Sequence, residues 1–299
     1  MLFRSGALGD FLQSWPSLCA LVKHWPDKEF LWAGRFDRQL WTSPLGFHAC
    51  PPDIRHAVES IPSAQTWPEE LEKTVVLWFG LQKSPSDLDF SRLLFLPGIR
   101  AGDSTPPRER YAQGLEQAGI RQFPGWIAEW RKLFGLAGPS SDNRTTVLLF
   151  PGAGHPLRCW PLDRFHKLAD WLSRQGLNPC FILGPAEMDR GIRVQDFEHC
   201  VFWDLEALQT KLLQARMVVG NDTGPLHLAG YLGIPVVSLF GPSSPAQWAP
   251  LGAKVITLDK ACSPCSQTGR VLCRNPLCMT EIECSTVQQA VLELLVQRA

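Results

Sequence analysis

Three short stretches pair small residues with charged ones in patterns that suit phosphate and proton chemistry. The first is Gly6-Ala7-Leu8-Gly9-Asp10, a glycine-rich turn that ends on a carboxylate where a helix begins. A carboxylate there either caps the helix or takes a proton from an acceptor hydroxyl. It would repel a phosphate, so Asp10, with Gly6, Ala7 and Gly9 around it, is expected on the acceptor side. The second stretch is Gly152-Ala153-Gly154, followed by Arg158. Flexible amides next to a guanidinium suit a diphosphate, whose oxygens the guanidinium can bridge. The bland alternative is a solvated loop arginine. The third is Asn221-Asp222-Thr223-Gly224, which ends a strand and opens a helix. One residue suffices as a cap, so four polar or small residues in a row exceed that need. Gly224 also lets a ligand approach the backbone closely.

Two further residues stand beside these corners. Glu187, in "LGPAEMDR", ends another strand and is placed to accept ribose hydroxyl hydrogen bonds; a surface glutamate is the equal alternative. His227 sits one turn into the helix after Gly224, either as a ligand contact or as a structural histidine. Five of the ten cysteines crowd into residues 262–284, among them Cys262, Cys265, Cys273 and Cys278. Only the first pair has the two-residue gap of a zinc knuckle. A metal site, labile thiols or a disulfide, and a packed loop all remain open for that segment.

The elements needed to hold these corners are legible. In the C-terminal half "TTVLLF", "PCFILG", "CVFWDL", "RMVVG" and "IPVVSLFG" read as strands. They alternate with helices such as "LDRFHKLADWLSRQG", "LEALQTKLLQA" and "TGPLHLAGYLG". Strands alternating with helices mean a parallel sheet covered on both faces. The N-terminal half offers "LFRS", "EFLWA", "HAVESI", "TVVLWF" and "RLLFL" as strands. Its helices are expected from about Asp10, where Pro16 should force a kink or a late start, and around 107–118 and 124–134. "GLAGPSSDNRTT", residues 135–146, reads as a linker. The expected organisation is a domain over 1–140, a second over 145–284, and a closing helix within 285–299. Both halves run strand, glycine-rich turn, Trp-Pro and helix, which supports two doubly wound α/β domains facing a cleft. In such sheets ligands gather beyond the carboxyl ends of the strands, at helix N-termini.

Composition narrows the function classes. The 299 residues are 45% hydrophobic and 19% charged, enough for real cores. Lys+Arg and Asp+Glu both number 29, so bulk charge predicts no nucleic-acid partner. No apolar run approaches the ~20 residues of a membrane span. Gly9, Asp10 and Gln13 interrupt any signal-peptide core, so the expected compartment is the cytoplasm. No corner matches the dinucleotide fingerprint or the ATP-binding P-loop.

Together "RSGALGDFLQSWPSL", "FPGAGHPLRCWP", "GNDTGPLHLAGYLGIPVVSLFGPSSPAQWAPLG" and "CSPC…C…CM" resemble glycosyltransferase family 9, the heptosyltransferase-type enzymes of lipopolysaccharide core assembly. The resemblance is strong over 145–284 and good over 1–25. It implies a GT-B type fold of two Rossmann-like domains and an inverting transferase. The donor would be a nucleotide-sugar, ADP-heptose in type, and the acceptor a lipid-linked or other glycan. It further implies Asp10 as catalytic base and Arg158 where the family often has lysine. Asp222, Thr223 and Gly224 would meet the donor's sugar and diphosphate, Asp222 orienting the sugar, with Glu187 near the ribose. No catalytic metal or other cofactor is expected. A lipid-linked acceptor would bring the chain to the inner face of the membrane, through the tryptophan-rich N-terminal half with Arg108 and Arg110. The alternatives are a nucleotide-sugar epimerase or hydrolase on the same architecture, and a non-catalytic protein that binds metal through its cysteine loop.

Overall fold

The structure, a computed structural model, describes residues 2–3, 6–134, 144–265 and 273–296. It divides into two compact units, Met1–Leu136 and Ala137–Ala299. Most of the expected linker, residues 135–143, lies outside the described residues, as do Arg4 and Ser5 at the end of the first expected strand. Among the described residues no helix is long and apolar enough to cross a membrane.

Unit 1 begins with β1 (Leu2–Phe3), α1 (Leu8–His24), β2 (Phe30–Trp32), α2 (Gln39–Thr42), β3 (Phe47–Ala49) and α3 (Pro52–Ser60). It continues with β4 (Val76–Gly80), β5 (Leu93–Pro97), α4 (Pro107–Gln117) and α5 (Trp126–Leu133). The strands form one sheet in the order β3-β2-β1-β4-β5, with every pair parallel. The chain leaves β1 toward β2 on one side and returns to β4 on the other. The carboxyl end of β1 is therefore a topological switch point.

Two expectations for this unit are corrected. "HAVESI" is not a strand but the end of α3 and the turn after it. Ile54, Ala57, Val58 and Ile61 recur at spacings of three and four, and Ala57, Val58 and Ile61 are buried. That is helical period, and Pro52 with Asp53 opens the first turn. Pro16 does not delay or divide α1, which runs unbroken through it from Leu8. Four of the unit's eight tryptophans are core residues. Trp15, Trp32, Trp41 and Trp130 are the largest buried side chains of the unit, each at most 1% exposed. Trp15 meets Trp130 edge to face at 4.7 Å, and Phe11 meets Trp32 edge to face at 5.5 Å. Aromatic rings bury more apolar area than any other side chain, so a unit of this size uses them as core.

Unit 2 opens with β6 (Thr146–Phe150), α6 (Leu162–Arg174), β7 (Asn178–Leu183), α7 (Pro185–Asp189), β8 (Glu198–Val201) and α8 (Leu205–Leu213). Then come β9 (Met217–Asn221), α9 (Gly224–Tyr231), β10 (Val236–Phe240), α10 (Pro245–Trp248), β11 (Lys254–Thr257), α11 (Leu277–Thr280) and α12 (Cys284–Val296). The sheet order is β11-β10-β9-β6-β7-β8, again all parallel. All five residues of β9 and of β10 are buried, which is why these segments are continuous apolar runs rather than alternating ones. Helix α6 turns Phe165, Leu168, Ala169 and Leu172 inward, and α12 turns Val287, Ala290 and Val291 into the same core. The closing helix is thus part of unit 2. The expected strand "CVFWDL" ends earlier, at Val201. The Asp204 carboxylate caps α8 by accepting from the Ala207 N–H at 2.7 Å, and Trp203 leaves the sheet, 70% exposed.

Candidate functional site

In unit 2 the chain runs β6-β7-β8 to one side and then crosses to β9 on the other side of β6. The switch point therefore lies between β6 and β9. Two of the three corners fall on it. Residues 151–160 leave β6, and Asp222-Thr223-Gly224 leave β9.

The 151–160 loop is fixed from three sides. Asn221, fully buried, donates from Nδ2 to the Pro151 carbonyl at 2.7 Å. Its Oδ1 accepts from the Trp160 N–H at 2.9 Å. One side chain thus bonds both ends of the loop. Trp160 is buried, donates from its indole to the Ile282 carbonyl at 2.9 Å, and packs edge to face on Phe165. On the far side Arg190, just past α7, donates to the carbonyls of Ala153 (2.6 Å) and Gly154 (3.2 Å). Carbonyls held in this way cannot turn toward an incoming anion. Glu187 is the third residue of α7 and accepts from the Gly184 N–H at 2.9 Å, the N3-to-N-cap half of a capping box. The same carboxylate lies flat over Gly152, where any Cβ would collide with it. A side chain at position 152 would therefore have to displace the Glu187 carboxylate from the loop.

The charged centre of the corner is the Arg158–Asp222 pair, 2.9 Å between Nη2 and Oδ2. The same Asp222 oxygen accepts from the Ser243 hydroxyl at 2.6 Å. Asp222 is 8% exposed and Ser243 1%, so the network is screened from water. Arg158 retains a buried Nε without a hydrogen-bond partner. A buried guanidinium N–H without an acceptor carries a desolvation penalty that an oxyanion would relieve. Directly after Asp222, Thr223 occupies the N-cap position of α9, and its side chain makes no capping bond. In the first turn of α9 Pro225 has no N–H and the Leu226 N–H donates to the Thr223 carbonyl at 3.2 Å, so the Gly224 N–H is what the turn offers a ligand, at the positive end of the helix. Burial pushes the neighbouring Cys159 thiol up, against the pull of Arg190, which keeps it protonated.

A narrow recess of about 70 Å³ adjoins this corner, with Gly152, Gly184, Glu187, Thr223 and Pro225 at its rim and Phe150, Ile182 and Phe202 among its apolar walls. His227 is buried at 4% exposure between the buried Leu226 and Leu228, and it does not line that recess.

Asp10 belongs to unit 1. It is the third residue of α1, and its Oδ2 accepts from the Ala7 N–H at 3.1 Å. Gly6 takes a φ of +148°, a conformation that favours glycine, and the Asp10 carboxylate folds directly over it. Arg38, 4% exposed, bonds Asp37 at 3.0 Å. Burial pulls its guanidinium down from the ordinary value, while Asp37 and, more weakly, Asp10 push it back. Unit 1 also carries a wider cavity of about 920 Å³ along β5 and α4, bordered by Lys83, Arg100 and Arg110. None of Gly6, Ala7, Gly9 and Asp10 lines it.

The cysteine-rich segment docks on the end of β10, with the Cys265 N–H donating to the Pro242 carbonyl at 2.9 Å. Cys262 and Cys265 are exposed, Cys273 half-buried and Cys278 buried, and all are free thiols. Residues 266–272 between them lie outside the described residues. Among the described residues, the segment does not bring three ligand atoms within 4.8 Å of one another.

Sequence reasoning found both corners of unit 2 but missed Ser243 and Arg190. Arg190 is a positioning residue. Arg190→Met keeps the aliphatic stem and removes both bonds to the loop. Loss of a charge-assisted bond at a largely exposed site is expected to weaken nucleoside-diphosphate binding about five- to tenfold. Calorimetry checks this, alongside a melting temperature changed by no more than a few degrees. Unchanged affinity would leave Arg190 without a role in shaping the loop.

The comparisons with known proteins point one way. The sequence pattern of glycosyltransferase family 9 (heptosyltransferase) matches residues 115–276, just over half of the chain. Lipooligosaccharide heptosyltransferase 2 of Haemophilus ducreyi is 30% identical over 145 residues, covering 44% of this chain and 42% of that protein. Lipopolysaccharide heptosyltransferase 3 of Escherichia coli K12 is 28% identical over 166 residues, covering 50% and 47%. The matched stretch thus spans about half the length of these relatives. In fold, the chain is similar to a family 9 glycosyl transferase from Veillonella parvula, with a TM-score of 0.69 at 19% identity over 99% of this chain and 96% of that one. It is also similar to the E. coli heptosyltransferase WaaC with ADP, with a TM-score of 0.67 at 16% identity over 98% of both chains. The fold is thus that of the GT-B heptosyltransferases, and the chain belongs to glycosyltransferase family 9.

Proposed function

We propose that this chain is an inverting glycosyltransferase that moves a heptose from an ADP-activated donor to a lipopolysaccharide-type acceptor. The observation that carries the reading is the corner between β6 and β9. There Asp222, which accepts from Ser243, holds Arg158; the Arg158 Nε lacks an acceptor, and Gly224 opens α9 with no side-chain cap at once after it. Each of these features favours an oxyanion, and together they suit a diphosphate. The adjoining recess of about 70 Å³ is far smaller than a nucleoside, which would lie over its mouth beside Glu187 and Thr223.

In this reading the diphosphate of the donor lies on Arg158, the Gly224 N–H at the start of α9 and the 152–154 loop. Asp10 takes the proton of an acceptor hydroxyl. The freed oxygen attacks the anomeric carbon from the face opposite the diphosphate. The new C–O bond forms as the bond to the diphosphate breaks, and ADP departs with both electrons of that bond. Arg158 and the Gly224 N–H stabilise the charge that develops on it. Those groups supply the positive charge from the chain itself, so no metal takes part in any step of this reading. The heptosyltransferase relatives and the WaaC structure with ADP support heptose and ADP as the donor's parts. A lipid-linked acceptor would place the reaction at the cytoplasmic face of a membrane, with the chain in peripheral contact.

The test is a turnover assay with ADP-heptose and a lipopolysaccharide-core acceptor, the product's anomeric configuration being read by NMR. Acceptor-dependent release of ADP and an inverted anomeric centre are expected. Release at the same rate without acceptor would make the chain a hydrolase, and a retained configuration would remove Asp10 as base of a single displacement.

A further inference from the structure

Unit 2 holds a second cluster of reactive side chains, on a part of the sheet that the donor site does not use. Cys180 lies in the middle of β7 and is fully buried; Cys200 lies on the edge strand β8 and is half-buried. In the parallel register Cys180 stands opposite Glu198, and Cys200 is two residues further along the same strand. Residues two apart on a strand share a face, so all three side chains lie on one side of the sheet. The two sulfurs are 3.9 Å apart. The two sulfurs and a Glu198 carboxylate oxygen all lie within 4.8 Å of one another. From α8, Lys211 reaches the same group, 3.3 Å from the Glu198 carboxylate.

These distances discriminate between chemistries. A disulfide needs its sulfurs about 2.05 Å apart. Two thiolates bound to one tetrahedral ion at about 2.3 Å stand roughly 3.8 Å apart. The observed 3.9 Å excludes a disulfide and fits both an S–H···S contact between two thiols and two sulfurs sharing an ion; the nearby Glu198 oxygen is what favours the ion. Two thiolates, one carboxylate and one ammonium carry a net charge of −2, which a divalent cation neutralises. Two sulfurs and one oxygen leave the fourth tetrahedral position to water. Thiolate-rich tetrahedral sets select borderline-soft ions over magnesium and calcium.

We propose that Cys180, Cys200 and Glu198 form a binding site for a thiophilic divalent cation of the zinc type, tying the edge strand β8 to β7. On binding, both thiols release their protons to solvent and each sulfur forms one bond to the ion. The site is separate from the donor corner and from the cysteine-rich segment at 262–284.

The experiment uses the full chain, purified without chelator or reductant carry-over. Zinc bound per chain is measured by elemental analysis, and affinity by competition with a chromophoric chelator. Cobalt substitution supplies a thiolate-to-metal charge-transfer band as a second readout. One ion per chain is expected, retained in Cys262→Ser/Cys265→Ser. Cys200→Ser is expected to weaken zinc binding by at least about a hundredfold, at the upper end of what loss of an outer-shell partner does, and to abolish the cobalt band. Glu198→Gln, at an exposed position where misfolding is not at issue, should weaken binding about tenfold. Zinc retained unchanged by Cys200→Ser and by Glu198→Gln would overturn the site. So would a wild-type chain that binds no zinc at micromolar concentration, or one whose Cys180 and Cys200 are recovered as a disulfide.

Discussion

Asp10→Asn is expected to lower kcat for sugar transfer by about 10²- to 10⁴-fold, the range of a lost general base, while donor binding stays within about twofold. The substitution is chosen for what it preserves. In the folded chain the Asp10 carboxylate caps α1 through the Ala7 N–H and covers Gly6. Asparagine keeps the volume and an oxygen that can accept the same bond. What it removes is the charge at the helix N-terminus, worth about 0.3–1 kcal/mol, and the ability to hold a proton. A melting temperature lowered by only a few degrees therefore separates lost chemistry from lost fold. Because donor groups are assigned to unit 2, nucleoside-diphosphate affinity serves as the internal control. A variant retaining more than a tenth of the wild-type rate would remove Asp10 as base and leave it a capping residue. Asp10→Ala would lose both functions together and cannot distinguish them as cleanly.

Much of the site was legible because its residue types are local. Glycine-rich turns, a carboxylate at a helix start and an Asp-Thr-Gly corner are written in consecutive residues. Parallel strands buried on both faces announce themselves as apolar runs such as Val236–Phe240. What the sequence did not disclose comes from partners far apart in the chain. Asn221 looked like surplus in a helix cap, whereas it bonds residues 70 and 61 positions earlier. Ser243 lies 21 residues after the aspartate it donates to, with nothing nearby to single it out. Arg190 follows a short helix and reads as a surface residue until its bonds to Ala153 and Gly154 are seen.

Errors of element type have the same origin. In "HAVESI" the apolar residues satisfy a strand reading over six positions. Only the wider set, from Ile54 to Ile61, shows the helical spacing that burial enforces. The tryptophans of unit 1 stand out in the sequence only as an excess of large amphipathic side chains. Packed against one another they are the core itself, because a small unit with short strands needs large rings to exclude water. The pairing of Arg158 with Asp222 also changes how both are understood. Asp222 was expected to orient the sugar, but one of its oxygens is already taken by Arg158 and Ser243. Its nearest effect is to aim the guanidinium.

That arrangement gives Arg158→Ala a larger effect than the loss of one cation. Deleting the side chain removes the group assigned to the diphosphate. It also leaves the Asp222 carboxylate, 8% exposed, without its counter-charge beside the start of α9. A donor entering the variant site would meet a buried negative charge where it formerly met a neutral pair. Truncating one partner of a buried, hydrogen-bonded charge pair typically costs about 2–5 kcal/mol, so nucleoside-diphosphate affinity is expected to fall about 30-fold to several thousand-fold. Arg158→Lys restores the charge but not the planar fork, and should recover only part of the loss. The decisive comparison is Arg158→Ala/Asp222→Asn. If the unmasked carboxylate contributes, this double variant binds the diphosphate more tightly than Arg158→Ala alone, a non-additivity expected only of residues in direct contact. Calorimetry on the wild type, both single variants and the double variant measures that coupling. Affinity within about threefold of wild type in Arg158→Ala would take Arg158 out of the site. A double variant no better than Arg158→Ala would keep Arg158 as a ligand but show that Asp222 merely holds it in place.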